Sequence, residues 1–304
     1  MRDIQYLSPS SISIFERSEE EFYEKYLADN RYPREPQNLA MAIGSAFDAF
    51  VKSYLYKELQ LGDDERFEIR TIFEDQVEEQ NRDEAWKIGE EVFETYKSLG
   101  GVADLLIMLG DSTDCRFEFK LQSTIKWEGE EVVLLGKPDL RFIHKDGERV
   151  LLDWKVNGYM SRKAPSPRKG YINTLGLKKK QHKDVMVGYI RGLKYNMAHP
   201  LEVVDKDWGR QLAIYGWLSG EEIGSEYLVA IDQIICGAGT VEGVAQHRCF
   251  VGADYQRGLY KRCCEIWRRC KSGHFWTQLS LEDSMARCKL LDQGPVTLEE
   301  ERER

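Results

Sequence analysis

The sequence lacks the hydrophobic segments that mark membrane and secreted proteins. It contains no run of about 18 apolar residues, the length needed to cross a bilayer. Residues 1–6 also lack the apolar core of a signal peptide. We therefore expect a protein that neither enters a membrane nor is secreted, and we expect a cytoplasmic location.

Several catalytic and cofactor motifs are missing as well. No Gly-x-x-x-x-Gly-Lys-Ser/Thr segment is present, so we do not expect this chain to hydrolyse ATP. The five histidines show no zinc-protease or catalytic-dyad spacing. The seven cysteines are an odd number, and the late ones include no Cys-x-x-Cys pair, which indicates reduced thiols and argues against a zinc site.

The composition that remains is typical of a globular protein. The 304 residues are 42% hydrophobic and 31% charged, with 43 Lys+Arg against 52 Asp+Glu and a net charge of −9. Such a chain can form a sizeable core, so global disorder is excluded. The acidity argues against a protein that coats nucleic acid, but it allows a locally basic groove.

The chain contains no internal repeat and no low-complexity linker, which favours one domain over two. We predict a single domain over residues 1–304. Its parts are a mainly helical region at 1–110, a mixed-sheet core at 111–275 and a tail at 276–304.

The hydrophobic period indicates where helices and strands lie. Helical spacing of apolar residues predicts helices at 9–27, 39–59, 70–98, 208–218 and 255–269, with 70–98 as one long helix or a broken pair. A period of two begins near 115 and predicts strands that include 132–142, 149–156, 227–235 and 244–251. The fold class is therefore α/β, with a central mixed β-sheet flanked by helices and an N-terminal helical elaboration.

The most informative polar residues lie in a predicted hairpin. An Asp-Gly turn at 146–147 folds the preceding strand back onto the following one. Residues two apart on a strand face the same side, so Asp153 and Lys155 project together, and the hairpin brings Asp139 beside them. Two carboxylates form an oxygen-ligand pocket for a divalent cation, and the ammonium group can orient a water. The alternative is that both aspartates are solvent-facing strand residues.

A series of ordered motifs extends from residue 8 to about 216. They read Ser8-Pro9-Ser10-Ser11, Phe22-Tyr23-Glu24-Lys25-Tyr26-Leu27, Gly44-Ser45-Ala46-Phe47-Asp48, Gly136-Lys137-Pro138-Asp139, Asp153-Trp154-Lys155 and Gln211-Leu212-Ala213-Ile214-Tyr215. In this order and spacing the chain resembles the PD-(D/E)XK nuclease superfamily, specifically its RecB-like branch of CRISPR-associated and phage exonucleases. The resemblance implies a restriction-endonuclease-like core and a site that depends on Mg²⁺ or Mn²⁺.

The resemblance also implies a set of metal ligands. Asp139 and Asp153, with the carbonyl of Trp154, would bind the metal, aided by Asp48. The branch usually has histidine where this chain has Asp48, so the metal shell is altered, and the alternative for Asp48 is a helix-surface carboxylate. Many relatives hold an iron–sulfur cluster, but the expected Cys-Pro position here reads Ser18-Glu19, so we expect no cluster.

Further residues of the motifs would act on water and on the nucleic acid. By the resemblance, Lys155 and Gln211 are catalytic: Lys155 positions the attacking water, and Gln211 with Tyr215 organises the site or the bound strand. Gln211 and Tyr215 are four apart and share a helix face, so the alternative is simple packing of Tyr215 on the sheet. Arg210 is a further candidate for contact with nucleic acid.

A basic segment follows the Asp153-x-Lys155 strand. Residues 161–183 contain no acidic residue and include the run Lys178, Lys179 and Lys180. A cationic segment at this position would contact the phosphate backbone, and we predict that role for these three lysines. The alternative is a solvated loop.

These patterns predict a metal-dependent deoxyribonuclease, with an exonuclease of DNA recombination, repair or phage DNA metabolism as the preferred form. Its partners would be single- or double-stranded DNA and a helicase or recombinase, in a bacterial or phage-infected cell. The alternative is a nuclease fold kept as a non-catalytic DNA-binding or complex-assembly module, which the aspartate at position 48 permits. A weaker third possibility is an acidic interaction protein whose partner supplies the DNA contacts.

Overall fold

The computed structural model describes residues 2–29, 35–117, 119–162 and 200–273. Within these ranges a mixed β-sheet lies between helices on its two faces, so the predicted α/β class is confirmed. The arrangement is compatible with the nuclease-like core that the sequence predicts. No helix in these ranges combines the length and the apolar character needed to cross a membrane.

The N-terminal part is helical, as the sequence predicts. Its helices are α1 (Pro9–Arg17), α2 (Glu19–Phe22), a π-helical turn (Tyr23–Leu27), α3 (Leu39–Glu58), α4 (Ile69–Gln76), α5 (Arg82–Ser98) and α6 (Gly101–Gly110), with 3-10 turns at Glu65–Phe67 and Glu79–Asn81. The predicted segment 70–98 is thus a broken pair. Helix α6 was not predicted, because its sequence is apolar almost throughout and shows no amphipathic period.

The helix predicted over 9–27 is interrupted at Ser18. The backbone of Ser18 is extended, with φ −156° and ψ 113°, and its hydroxyl accepts a hydrogen bond from the amide of Glu21 at 3.1 Å. Serine is a strong N-cap residue because its side chain satisfies an amide of the first helical turn. Ser18 therefore ends α1 and begins α2, so the single predicted helix was wrong in this detail.

In the part of the chain that the structure describes, the strands form two sheets. They are β1 (Thr113–Phe117), β2 (Leu121–Trp127), β3 (Glu130–Gly136), β4 (Leu140–Ile143), β5 (Arg149–Asn157), β6 (Leu228–Gly237) and β7 (Thr240–Cys249). The central sheet has the order β1-β4-β5-β6-β7, and β2 pairs with β3 in a second sheet. Strand β5 is antiparallel to β4 and parallel to β6, so the central sheet is mixed.

The predicted strand over 132–142 is divided between the two sheets. Strand β3 ends at Gly136, and β4 begins at Leu140 after Lys137 and Pro138. Proline has no amide hydrogen to donate to a strand ladder, so Pro138 separates the two strands. The predicted hairpin between β4 and β5 is confirmed, with Leu140 opposite Leu152.

The helices that follow the basic segment cover one face of the central sheet. They are α7 (Leu201–Val204), α8 (Lys206–Leu218) and α9 (Ala253–Ser272). Leu151 of β5 packs in the same apolar cluster as residues of α1, α8 and α9, whereas Leu152 and Trp154 pack with residues of α3, α5 and α6 on the opposite face. This alternation places the side chains of Asp153 and Lys155 on the α8 face.

Candidate functional site

A cleft of about 1030 Å³ opens beside the β4–β5 hairpin. One wall of the cleft is a stripe of α3 residues at helical spacing. The end of α4 and the segment after β5 form the rest of its lining. The residues of the stripe and of the hairpin that line the cleft are Met41, Gly44, Ser45, Asp48, Lys52, Lys137, Asp139, Trp154 and Lys155. Several predicted site residues therefore meet in one place.

The hairpin brings the two predicted aspartates together. Asp139 immediately precedes β4, and the pairing of Leu140 with Leu152 places it beside Asp153 on β5. The backbone amide of Trp154 donates to Asp139 Oδ2 at 3.2 Å, which fixes the carboxylate across the hairpin. Asp153 itself is 2% exposed, so its carboxylate lies at the buried base of the site.

The contacts of Asp153 leave one of its oxygens incompletely satisfied. Oδ1 accepts a hydrogen bond from Gln211 Nε2 at 3.0 Å. Oδ2 is buried and forms an ion pair with the ammonium group of Lys155, but it accepts no hydrogen bond of normal geometry from the described residues. A carboxylate oxygen has two lone pairs, so an oxygen whose assigned partner is the one ammonium group of Lys155 retains capacity for a further ligand.

The charges of the pocket shift the pKa values of its carboxyl groups in opposite directions. Burial raises the pKa of Asp153 to about 8 despite the opposing charge of Lys155, and the charge of Asp139 adds to the rise. Burial alone would raise the pKa of Asp139 too, but the ammonium groups of Lys52 and Lys155 outweigh it and lower that pKa. Desolvation lowers the pKa of Lys155, yet the two aspartates raise it overall, so Lys155 is charged at neutral pH.

Helix α8 supports the pocket through Gln211 and Tyr215. The amide of Gln211 also donates to Tyr215 Oη at 2.9 Å, so one side chain joins Tyr215 to Asp153. The ring of Tyr215 lies against Gly136, where a Cβ atom would come within 2.7 Å of the ring. Burial raises the pKa of Tyr215, and the nearby aspartates add to this, so its hydroxyl stays protonated. The glycine of the Gly-x-x-Asp motif thus makes room for the tyrosine of the Gln-x-x-x-Tyr motif.

The structure adds a residue that the sequence analysis did not single out. Lys52 is 1% exposed, and its ammonium group lies 3.0 Å from Asp48 Oδ2 and 3.0 Å from Asp139 Oδ1. Asp48 and Lys52 are four apart on α3, which was the available signal, but such pairs are common on exposed helix faces. We name Asp48, Lys52, Asp139, Asp153 and Lys155 the cleft cluster.

Asp139 and Asp153 together form a donor set that a magnesium-like ion can use. Among the described residues, no group of three or more His, Cys, Asp or Glu side chains lies close enough to hold a metal. Mg²⁺ commonly uses one or two carboxylates and keeps several waters. The adjacent Asp139 and Asp153, with an incompletely satisfied buried oxygen, match that requirement.

A second buried charged group lies on the other face of the sheet. The side chain of Arg248 donates to Asp232 at 2.6 Å and lies 3.7 Å from Asp104, while Tyr96 donates to Asp232 at 2.6 Å. The indole of Trp154 donates to Tyr96 Oη at 3.4 Å, so Trp154 joins this group to the hairpin. Gln246 donates to Asp104 Oδ2 at 3.2 Å. We name Tyr96, Asp104, Asp232, Gln246 and Arg248 the interior cluster.

Arg210 does not join the other predicted residues. Its guanidinium is 4% exposed, bonds Ser13 and Asp207 at 2.7 and 2.8 Å, and forms an ion pair with Glu16. Because these partners compensate its charge inside the protein, Arg210 is not presented to a nucleic acid, and this part of the prediction is corrected. The lysines predicted to contact phosphates, Lys178, Lys179 and Lys180, lie outside the described residues.

Comparisons with known proteins give structural similarity at low sequence identity. No family model matches the chain, and no curated protein matches it significantly. A solved structure from Eubacterium rectale, described as a "Putative exonuclease", is similar with a TM-score of 0.46 and 15% identity, covering 90% of this chain and 83% of that one. A second, SSO0001, has a TM-score of 0.26 and 14% identity over 78% of this chain and 79% of that one. The functional case therefore rests on the residues of the site.

Proposed function

We propose that this protein is a metal-dependent deoxyribonuclease, and that it acts as an exonuclease in DNA recombination, repair or phage DNA metabolism. The observation that carries the proposal is the convergence of Asp139, Asp153 and Lys155 beside an open cleft. Two carboxylates on one hairpin can hold a metal ion for phosphodiester hydrolysis, and the partly buried ammonium group of Lys155 beside them can stabilise negative charge. The order of motifs in the sequence supports the same proposal.

The proposed cation is Mg²⁺ or Mn²⁺. Asp139 and Asp153 would hold it with the carbonyl of Trp154, and Asp48 lies next to them across Lys52. When bound, such an ion supplies Lewis-acid stabilisation of the phosphate and a more acidic water. The pocket can keep most of the coordinating waters because it opens into the cleft.

The chain's own residues would perform the remaining tasks. The ammonium group of Lys155 would orient the attacking water and balance the negative charge that develops on the phosphate oxygens. Gln211 would hold Asp153 in one orientation through the 3.0 Å hydrogen bond, and Tyr215 would hold Gln211. Asp153 and Tyr215 are buried and Gln211 is hydrogen-bonded to both, so the geometry of this part of the site would be fixed before the substrate arrives.

The test is a cleavage assay with matched substrates. End-labelled linear DNA and covalently closed circular DNA, each single- and double-stranded, would be incubated with Mg²⁺, Mn²⁺ or EDTA. Asp153→Asn removes the charge at the site, and Asp146→Asn, at an exposed carboxylate in the turn of the same hairpin, is its control. We expect metal-dependent loss of linear DNA with wild type and Asp146→Asn, and none with Asp153→Asn.

Two results would contradict the proposal. Cleavage by Asp153→Asn at the wild-type rate would show that the cleft cluster is not the site. Cleavage of closed circles as fast as linear DNA would retain the nuclease but replace the exonuclease by an endonuclease.

One observation favours the second candidate, a non-catalytic DNA-binding or assembly module. The ammonium group of Lys52 compensates Asp48 and Asp139 without any metal. This candidate predicts intact DNA under every metal condition, together with DNA binding that Mg²⁺ does not change. Measurement of binding by fluorescence anisotropy beside the cleavage assay separates the two candidates.

A further inference from the structure

Lys52 is the most deeply buried charged group at the cleft. Its side chain is 1% exposed, whereas the side chains of its partners, Asp48 and Asp139, are 22% and 16% exposed. The ammonium group bridges the two carboxylates, with 3.0 Å to each. A cation buried to this extent is costly unless it is paired, so the pairing with two carboxylates explains why the fold keeps it there.

The neighbours of Lys52 on α3 show why its charged end lies at the pocket. Val51 and Leu55 are fully buried in the apolar cluster that α3 forms with α5, α6 and the central sheet. The long aliphatic stem of lysine can cross such a layer and place the charged end at its polar border. Lys52 lines the cleft together with Asp48, one turn before it.

The two lysines divide the carboxylates of the cleft cluster between them. Lys155 pairs with Asp153, and Lys52 pairs with Asp48 and Asp139. With the three carboxylates ionised, as they would be when they bind a cation, the five residues of the cleft cluster carry a formal charge of −1. Without Lys52 the formal charge of these residues would be −2, and Asp48 and Asp139 would lose the ammonium group that bridges them.

We propose that Lys52 is a built-in counter-cation of the cleft cluster. It occupies the position between Asp48 and Asp139 that a second divalent ion would otherwise take, and so limits the site to one ion, at Asp139 and Asp153. It also keeps the affinity for that ion low and holds the two carboxylates apart when no metal is bound. This inference rests on the proposed metal site and adds a residue and a stoichiometry to it.

Removal of the Lys52 charge should strengthen the binding of Mn²⁺ and weaken the stability of the metal-free protein. Lys52→Met keeps the length of the stem but removes the cation, so Mn²⁺ should bind about tenfold more tightly or better, because the pocket is more negative. The same variant should melt at a lower temperature without metal, because Asp48 and Asp139 lose their ion pairs with Lys52. Loss of a purely structural lysine would not tighten metal binding.

A second substitution isolates charge from contact. Asp48→Asn combined with Lys52→Met restores the formal charge of −1. We expect this double variant to bind Mn²⁺ within about threefold of wild type and to regain much of the metal-free melting temperature.

The experiment is a calorimetric titration of Mn²⁺ into the full chain, with thermal melts in EDTA and in Mn²⁺. The variants are Lys52→Met, the double variant and, as matched control, Lys57→Met. Lys57 lies on the same helix, is 56% exposed and pairs with Glu68 at 3.1 Å, so its loss should change neither affinity nor melting temperature. If Lys52→Met does not fold, Lys52→Gln removes the charge and retains a hydrogen-bond donor, with the same expectations.

The outcomes separate this inference from the proposed function. One ion in wild type and tighter binding by Lys52→Met support it. Equal or weaker binding by that variant, two ions in wild type, or a double variant that binds more than about tenfold more weakly than wild type would overturn it.

If wild type and Lys52→Met both bind no Mn²⁺, the proposed metal site fails, and with it the one-ion limit. Rescue of the Lys52→Met melting temperature by Asp48→Asn in EDTA would still support the counter-cation role, and its absence would overturn that role.

Discussion

The cleft cluster and the interior cluster contain similar charged groups but differ in their exposure to solvent. The cleft cluster has three carboxylates and two ammonium groups, and the interior cluster has two carboxylates and one guanidinium, so each has a formal charge of −1. In the interior cluster, Asp232 and Arg248 are fully buried, and Asp232 also accepts a hydrogen bond from Tyr96. In the cleft cluster, Asp48 and Asp139 border a cavity of about 1030 Å³.

The difference shows how a charged group for a ligand is distinguished from one for stability. The interior cluster ties α5, α6, β6 and β7 together through contacts inside the protein. In the cleft cluster, the side chains of Asp48 and Asp139 are 22% and 16% exposed and line the cleft, whereas Asp153 lies buried behind them. Trp154 belongs to both, since its backbone amide bonds Asp139 and its indole bonds Tyr96.

The largest effect on activity is expected at Lys155. Lys155→Met should reduce the DNA cleavage rate by about 10³-fold or more, because the charge on the transition state loses its nearest fixed cation. Single-turnover cleavage under saturating Mn²⁺ measures this, with Lys126→Met, on an exposed lysine of β2, as the control. If the cleavage rate fell by less than about tenfold, the cleft cluster would not differ from the interior cluster in its role in cleavage.

The largest effect on stability is expected at Arg248. Arg248→Met leaves Asp104 and Asp232 buried without their cation, which should lower the free energy of unfolding by about 3–5 kcal/mol. Urea denaturation measures the change, and Arg257→Met, at an exposed arginine paired with Asp254, should change it little. A loss below about 1 kcal/mol would mean that the interior cluster is not a stabilising group.

An intermediate effect is expected at the link between α8 and the hairpin. Gln211→Leu removes the donor to Asp153 Oδ1 and the contact with Tyr215. An unpaired buried acceptor costs about 1–3 kcal/mol, so cleavage should fall about 10- to 100-fold. The control is Gln122→Leu on an exposed position of β2. If cleavage and stability were both unchanged, Gln211 would have no part in the site.

The smallest effects are expected for two glycine substitutions. One is on the cleft side of α3, and the other is on α5 where it packs against the buried side of α3. A Cβ atom at Gly44 would meet nothing within 4 Å, so Gly44→Ala should raise the free energy of unfolding by about 0.5–1 kcal/mol through helix propensity. At Gly89 of α5 the added atom would lie 2.4 Å from Ala46 Cβ, and Gly89→Ala should lower it by about 1–3 kcal/mol. Thermal melts of both variants test this contrast, which would fail if the two substitutions had the same sign.

The sequence predicted that Asp139 lies beside Asp153 because the signals there are local. The Asp-Gly turn and the period of two fix the hairpin, and the hairpin fixes Asp139 beside Asp153. Lys52 was missed because its role depends on burial, which the spacing from Asp48 does not reveal. Arg210 was misplaced because neighbouring residues on a helix point about 100° apart, so it cannot share the direction of Gln211.

The interior cluster could not be predicted from the sequence at all. Asp104 lies in a helix with no amphipathic period, and Arg248 follows it by more than a hundred positions along the chain. Their proximity exists only after α6 packs against the finished sheet. Long-range charge pairs of this kind leave no spacing that a periodicity argument can detect.

The parallel pairing of β5 with β6 has a consequence for the order of events during synthesis. Lys52 leaves the ribosome before the hairpin, and the supporting Gln211 and the partner strand of β5 come after residue 200. Contacts between such distant segments form late in folding because the intervening chain must first be closed. The cleft cluster thus gains its support from α8 and β6 only after the segment beyond residue 200 has been translated, so a nascent chain would carry the carboxylates before Gln211 can hold Asp153 in place.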